Sequence, residues 1–253
     1  MSVAETAFRL DVNGRDIAVR ALAGSAPGVL WLGGFKSDMT GTKAERLAQL
    51  AAARGQAYVR FDYSGHGASA GAFEDGTISQ WLEEAVAVFE RCTQGDQVVV
   101  GSSMGGWLAL LLARALAAKG ETRLKALVLV APAADFTETL MWARFPAEVQ
   151  SEITVTGRFL KPTPYGGEPY VITRGLIEDG RRHQILGAPF AVGCPVRILQ
   201  GAQDEEVPWE HAMRLVTCLS EDDVVFSLVK DGDHRLSRPE DLERLAQVVC
   251  EFL

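Results

Sequence analysis

Apolar positions along this chain change their spacing several times, and each change marks an element. Ala7 to Val12 and Ile17 to Leu22 flank Asn13-Gly14, a dipeptide suited to a tight hairpin turn, so two antiparallel strands are expected at the start. From Gly28 the pattern becomes one of short apolar runs separated by amphipathic stretches. Gly28 to Leu32, Ala57 to Asp62, Gln97 to Val100 and Leu124 to Val130 read as buried strands. Thr42 to Arg54, Thr77 to Cys92 and Met104 to Lys119 read as the helices between them. The same alternation resumes with Val196 to Gln200 (strand), Trp209 to Leu219 (helix), Val224 to Val229 (strand) and Pro239 to Phe252 (helix). Such an alternation predicts an α/β fold whose central sheet is mostly parallel and covered by helices on both faces.

Between Pro132 and Cys194 the alternation stops. "FTETLMWARFPAEVQSEI" has helical spacing broken before Pro146, and "GRFLKPTPYGGEPYVITR" reads as a short hairpin around a Pro/Gly-rich loop. An excursion of this size between two sheet strands is expected to form a lid. The predicted organisation is therefore a core of residues 1–132 and 194–253 with a lid at 133–193.

Composition narrows the classes of function. The 253 residues can bury a sizeable core without disulfide or metal support, and 47% hydrophobic with 23% charged residues fits one soluble globule. A formal charge of −8 argues against general affinity for nucleic acid or anionic membrane, so small-molecule or peptide partners are expected. Cys92, Cys194, Cys218 and Cys250 show no metal-ligand spacing and read as reduced thiols. No apolar run reaches membrane-spanning length, and the first residues carry neither a secretory nor a transit pattern; cytoplasmic residence is the expectation.

The chemistry concentrates in "VVVGSSMGGW". Gly101-Ser102-Ser103-Met104-Gly105 matches G-x-S-x-G directly after a Val-rich strand and at the opening of a helix, the context of a nucleophile elbow. Ser102 is a rival, but Val100 stands at its upstream glycine position, so Ser103 is the expected nucleophile. A serine hydroxyl needs a base to take its proton. Of four histidines, His234 lies in the loop after the last strand, and the chain order serine, acid, histidine selects it. His211 falls within a predicted helix, His183 in the lid, and His66 in a glycine-rich loop.

An acid must hold the base in the right tautomer. Asp204 is the first acid beyond a strand end and is the choice; Glu205 and Glu206 read as helix N-terminal acids, and Asp135 is a substitute. Amide donors for a developing oxyanion are expected from Met104 and, in "LGGFKSDM", from Phe35. Phe136, Leu140, Met141, Trp142 and Phe145 have helical spacing, suited either to an acyl-binding slot or to fastening the lid. Arg158, Lys161, Arg174, Arg181 and Arg182 could steer an anionic leaving group or belong to a solvated face.

These motifs together resemble the α/β-hydrolase superfamily over nearly the whole chain. "GGFKSDMTGTKA", "RFDYSGHGAS", "GSSMGGWL" and "EPYVITRGLIEDGRRH" look more narrowly like the family that includes the mitochondrial palmitoyl-protein thioesterase and acyl-glucuronide esterase, with its bacterial relatives. The resemblance implies hydrolysis of acyl thioesters or esters, on small molecules or acylated proteins, through Ser103, Asp204 and His234. No cofactor is expected. A C–C bond hydrolase of the same superfamily and a non-catalytic ligand-binding member are the alternatives, since a shared fold does not transfer a substrate.

Overall fold

The structure is a computed structural model that describes residues 5–162 and 169–253. Its first strands, β1 (Thr6–Val12) and β2 (Arg15–Leu22), form the expected hairpin, with Asn13 and Gly14 both at positive φ in the turn. There follow β3 (Ser25–Leu32), α1 (Thr42–Arg54), β4 (Gln56–Phe61), α2 (Ile78–Cys92), β5 (Gln97–Ser102), α3 (Met104–Ala118) and β6 (Leu124–Val130). After an insertion come β9 (Val196–Gly201), α6 (Trp209–Cys218), β10 (Val224–Val229) and α7 (Pro239–Cys250). The eight strands pair in the order β1-β2-β4-β3-β5-β6-β9-β10, parallel from β4 onward and antiparallel at β1-β2 and β2-β4.

The central strands β3, β4, β5, β6 and β9 are buried on both faces over most of their length, and the alternation of side chains across each divides the core in two. Val99, Leu127, Leu129 and Ile198 face the side packed by α2, α3 and α6. Val98, Val100, Ala126, Val128 and Leu199 face the side packed by α1 and α7. α3, the helix that the elbow opens, is buried almost all round, so it cannot shift without disturbing the core.

The insertion between β6 and β9 holds a π-helical turn at Thr137–Met141, α4 (Ala147–Thr156), a hairpin of β7 (Arg158–Lys161) with β8 (Tyr170–Thr173), and α5 (Arg174–Arg181). The loop predicted to join β7 to β8 includes 163–168, which lie outside the described residues. Among the described residues, α5 is the α-helix that the apolar pattern does not predict. Gly175 and Gly180 lower its helical propensity, and its support is tertiary: Thr173 caps Leu176 N, and Gly180 packs so closely that an added Cβ would lie 2.1 Å from Thr137 Oγ1. Asp179 of α5 accepts hydrogen bonds from the amide and hydroxyl of Ser79 at 2.8 Å each, which fastens the insertion to the first turn of α2.

Candidate active site

Parallel strands end on one edge of the sheet, and the loops leaving β3, β5, β9 and β10 meet there. Ser103 lies between β5 and α3 at φ 54°, ψ −118°, a strained conformation for a side chain with a Cβ. The neighbouring glycines make this turn possible. A Cβ on Gly101 would lie 2.3 Å from Gly105 O, and one on Gly105 would lie 2.1 Å from Leu32 O. The turn is anchored by Ser103 N donating to Val130 O at 2.9 Å and by Ala133 N donating to Ser103 O at 3.0 Å. Its rival Ser102 ends β5 and is buried.

His234 Nε2 is 3.1 Å from Ser103 Oγ, and His234 Nδ1 is 2.8 Å from Asp204 Oδ2. The structure thus brings together the three side chains that the sequence selected from positions 103, 204 and 234. Asp204 is buried and accepts on both oxygens. Oδ1 takes the amides of Glu206 (3.0 Å) and Val207 (2.8 Å), and Oδ2 takes Gln200 Nε2 (3.0 Å) beside the imidazole. Four donors converging on one carboxyl fix its plane. The loop after β10 is in turn tethered by Lys43 of α1, whose ammonium donates to Arg235 O and, at 3.3 Å, to Ser237 Oγ. Burial pulls the Lys43 ammonium down to about 8, with the charge of Arg235 adding to the effect.

The two amides expected to face an oxyanion lie on adjoining pieces of backbone. Met104 N is the first amide of α3, where the helix has no internal acceptor for it. Phe35 follows Gly34, where an added Cβ would come within 3.4 Å of the Ser103 Cβ. The Phe35 ring is fixed in T-shaped contacts with Phe73 (4.8 Å), Phe136 (5.6 Å) and Tyr170 of β8 (6.1 Å), so the insertion packs directly on this loop.

Several residues have partners that the sequence did not reveal. Asp135, the substitute acid, points away from the imidazole and accepts the amides of Ile185 and Leu186. Glu205 and Glu206 precede α6, which begins at Trp209, and so are not in its first turn. Glu206 Oε2 instead lies 3.6 Å from His234 Nε2. His211 is inside α6, with Nε2 2.7 Å from Ala134 O. His183 Nε2 is 2.6 Å from Ser79 Oγ, within the anchorage of α5.

Of the expected acyl-slot residues, Met141 is buried in the core. Trp142 carries the Arg181 guanidinium 4.9 Å from its ring centre, and Phe145 packs on Phe159 at 5.8 Å. Phe136, between Phe35 and Trp107, is the aromatic of that stretch that reaches the site. Arg158, Arg174, Arg181 and Arg182 pair with Glu74, Glu178, Glu138 and Asp179 respectively. The residues around Asp204 and His234 that the sequence did not single out are Gln200 and Glu206. Both sit close in sequence to Asp204, which was their only signal.

Among the described residues there is no group of three or more His, Cys, Asp or Glu placed to hold a metal ion, and no helix long and apolar enough to cross a membrane. The four cysteines are free, with Cys194 buried.

An eight-stranded sheet with a serine at a strained strand-to-helix turn, and a histidine and an acid on later loops, defines a hydrolase architecture. Residues 26–248 match the model of the alpha/beta hydrolase family, and the chain belongs to that family. It is 36% identical over 239 residues to the mitochondrial palmitoyl-protein thioesterase ABHD10 of Mus musculus, covering 94% of this chain and 79% of that protein. Among solved structures, alpha/beta hydrolase domain-containing protein 10 from mouse superposes with a TM-score of 0.87 at 32% identity, with 97% of each chain covered. A candidate hydrolase from Agrobacterium vitis S4 superposes with a TM-score of 0.93 at 45% identity over 98% of each chain.

Proposed function

We propose that the chain is a serine hydrolase that cleaves carboxylic ester or thioester bonds through an acyl-enzyme. The observation that carries this reading is the chain of contacts from Ser103 Oγ through His234 to Asp204, at 3.1 and 2.8 Å. In the proposed reaction Ser103 Oγ attacks the acyl carbonyl carbon while its proton passes to His234 Nε2. The carbonyl oxygen becomes an oxyanion facing the amides of Phe35 and Met104. The imidazolium then gives its proton to the departing alcohol or thiol, leaving the acyl group on Ser103. Water, deprotonated by the same imidazole, releases the acid. Asp204 keeps the proton on Nδ1, so that Nε2 presents a lone pair to the serine.

Substrates with an acyl chain, whether a small molecule or an acylated protein, fit this reading. It is supported by the similarity to proteins named palmitoyl-protein thioesterases. In the same reading residues 133–193 act as a lid over the acyl group, supported by the contacts of Phe136 and Tyr170 with Phe35. A fluorophosphonate probe tests the nucleophile. Labelling of the wild-type protein and none of folded Ser103→Ala is expected, and equal labelling of both would refute it. Matched oxygen and sulfur esters of one acyl chain, assayed with the same pair of proteins, test the bond cleaved.

A further inference from the structure

The loop that carries Phe35 is held from below by a histidine that the proposed reaction does not use. His66 is buried, with its ring against Tyr63 (5.8 Å), Phe73 (5.1 Å) and Trp81 (5.1 Å). Its Nδ1 lies 3.1 Å from Ser64 O, and a carbonyl can only accept, so the proton resides on Nδ1. Its Nε2 therefore presents a lone pair, and the Lys36 amide donates to it at 3.1 Å. Lys36 has φ 56°, a left-handed conformation unfavourable for a residue with a side chain, so this backbone does not hold its shape unaided. The bond to His66 fixes the peptide plane joining Phe35 to Lys36. On the other side of that residue, the Phe35 ring rests on Phe73 and Trp81, the same two rings that clamp His66. Among the described residues the Phe35 amide donates to no acceptor of the chain.

We propose that His66 is a positioning residue for the oxyanion pocket, holding the Lys36 amide so that the neighbouring Phe35 N–H points at the oxygen that becomes charged. This rests on the reading of Ser103 as nucleophile. The interaction matters most when that oxygen carries charge, so its loss appears in turnover and in affinity for tetrahedral mimics, with little change in ground-state binding.

The test compares His66→Gln, His66→Asn and His66→Phe by kcat, KM and inhibition by an alkyl boronic acid. The boron accepts an electron pair from the serine oxygen to become a tetrahedral anion, and the serine proton passes to His234. Gln reaches the Nε2 position and can accept from Lys36 N; Asn is one methylene too short; Phe keeps the ring packing without an acceptor. The expected result is boronate affinity within about threefold of wild type for His66→Gln. A loss of about 10- to 100-fold is expected for His66→Asn and His66→Phe, less than deletion of an oxyanion donor, with a parallel fall in kcat and KM within about twofold. Wild-type boronate affinity in folded His66→Asn or His66→Phe overturns the proposal, as does equal loss in all three variants. Should His66→Phe fail to fold, the Asn and Gln pair decides alone. Full hydrolysis by Ser103→Ala would instead overturn the underlying reading, so the two failures are separable.

Discussion

Replacing Asp204 by Asn changes one atom and leaves the volume of the side chain almost unaltered, yet every contact made by Asp204 is an acceptance. The carboxyl receives Glu206 N and Val207 N on one oxygen and Gln200 Nε2 and His234 Nδ1 on the other. An amide has one accepting oxygen and one donating nitrogen, so one of the two pairs must face an N–H. The backbone amides cannot turn away, whereas imidazole can change tautomer. The Asn oxygen therefore stays on the backbone pair, and its NH2 group donates to His234 Nδ1. The imidazole proton then moves to Nε2, where it points at Ser103 Oγ and blocks proton transfer. A misassigned tautomer of this kind lowers kcat by about 10⁴-fold, close to 5 kcal/mol of transition-state stabilisation. Steady-state hydrolysis of p-nitrophenyl butyrate by the folded variant gives the number directly. A kcat within tenfold of wild type would show that Asp204 does not set the imidazole tautomer. His234→Ala added to Asp204→Asn should lose little more, because the pair acts as one unit.

Three further outcomes are expected. Gly105→Ala places a Cβ 2.1 Å from Leu32 O and 2.5 Å from Gly33 O, both backbone, and should destabilise by about 3 kcal/mol, lowering Tm by about 6 °C; an unchanged Tm would show that the elbow can yield there. Glu206→Gln removes a half-exposed carboxylate beside His234 Nε2, and should raise kcat/KM for an anionic ester such as mono-p-nitrophenyl succinate about threefold relative to p-nitrophenyl butyrate. A ratio unchanged at low salt would exclude this electrostatic role. Burial lowers the imidazole of His66 to about 4, with the Lys36 charge adding and the Ser64 carbonyl opposing. The unfolded chain then binds a proton between about pH 6.5 and 4 that the folded chain refuses, so stability falls as pH falls through that window. The advantage of wild type over His66→Gln in urea unfolding should shrink by about 3 kcal/mol from pH 7 to pH 4. A difference independent of pH would mean that His66 titrates alike in both states.

The strands and helices of the core were legible because each is written in local periodicity. Leu124–Val130 and Val224–Val229 begin and end where the apolar runs do, and Thr42–Arg54 closes on Gly55 in the left-handed conformation. The serine, acid and histidine were legible because their chain order and positions after strands are fixed by how parallel strands end on one edge. What remained hidden depends on contacts between distant segments. α5 forms where Ser79, one hundred positions earlier, supplies partners for Asp179. Nothing around His66 reveals that its ring nitrogen meets an amide thirty residues upstream. Glu206 was read only as an acid before α6, because its approach to His234, twenty-eight positions later, leaves no mark in the local sequence.

The two halves of the site enter the sheet at different places. Ser103 and the amides of Phe35 and Met104 belong to the ends of β3 and β5 and the start of α3 at the centre, while Asp204 and His234 follow β9 and β10, the last strands on one side. During synthesis the central layers leave the ribosome first, so the emerging protein carries an unarmed hydroxyl. In the proposed reaction that hydroxyl gains its proton acceptor only when residues 196–253, which carry Asp204 and His234, have docked. A copy that stops before His234 therefore holds its serine without that partner even where its core has formed.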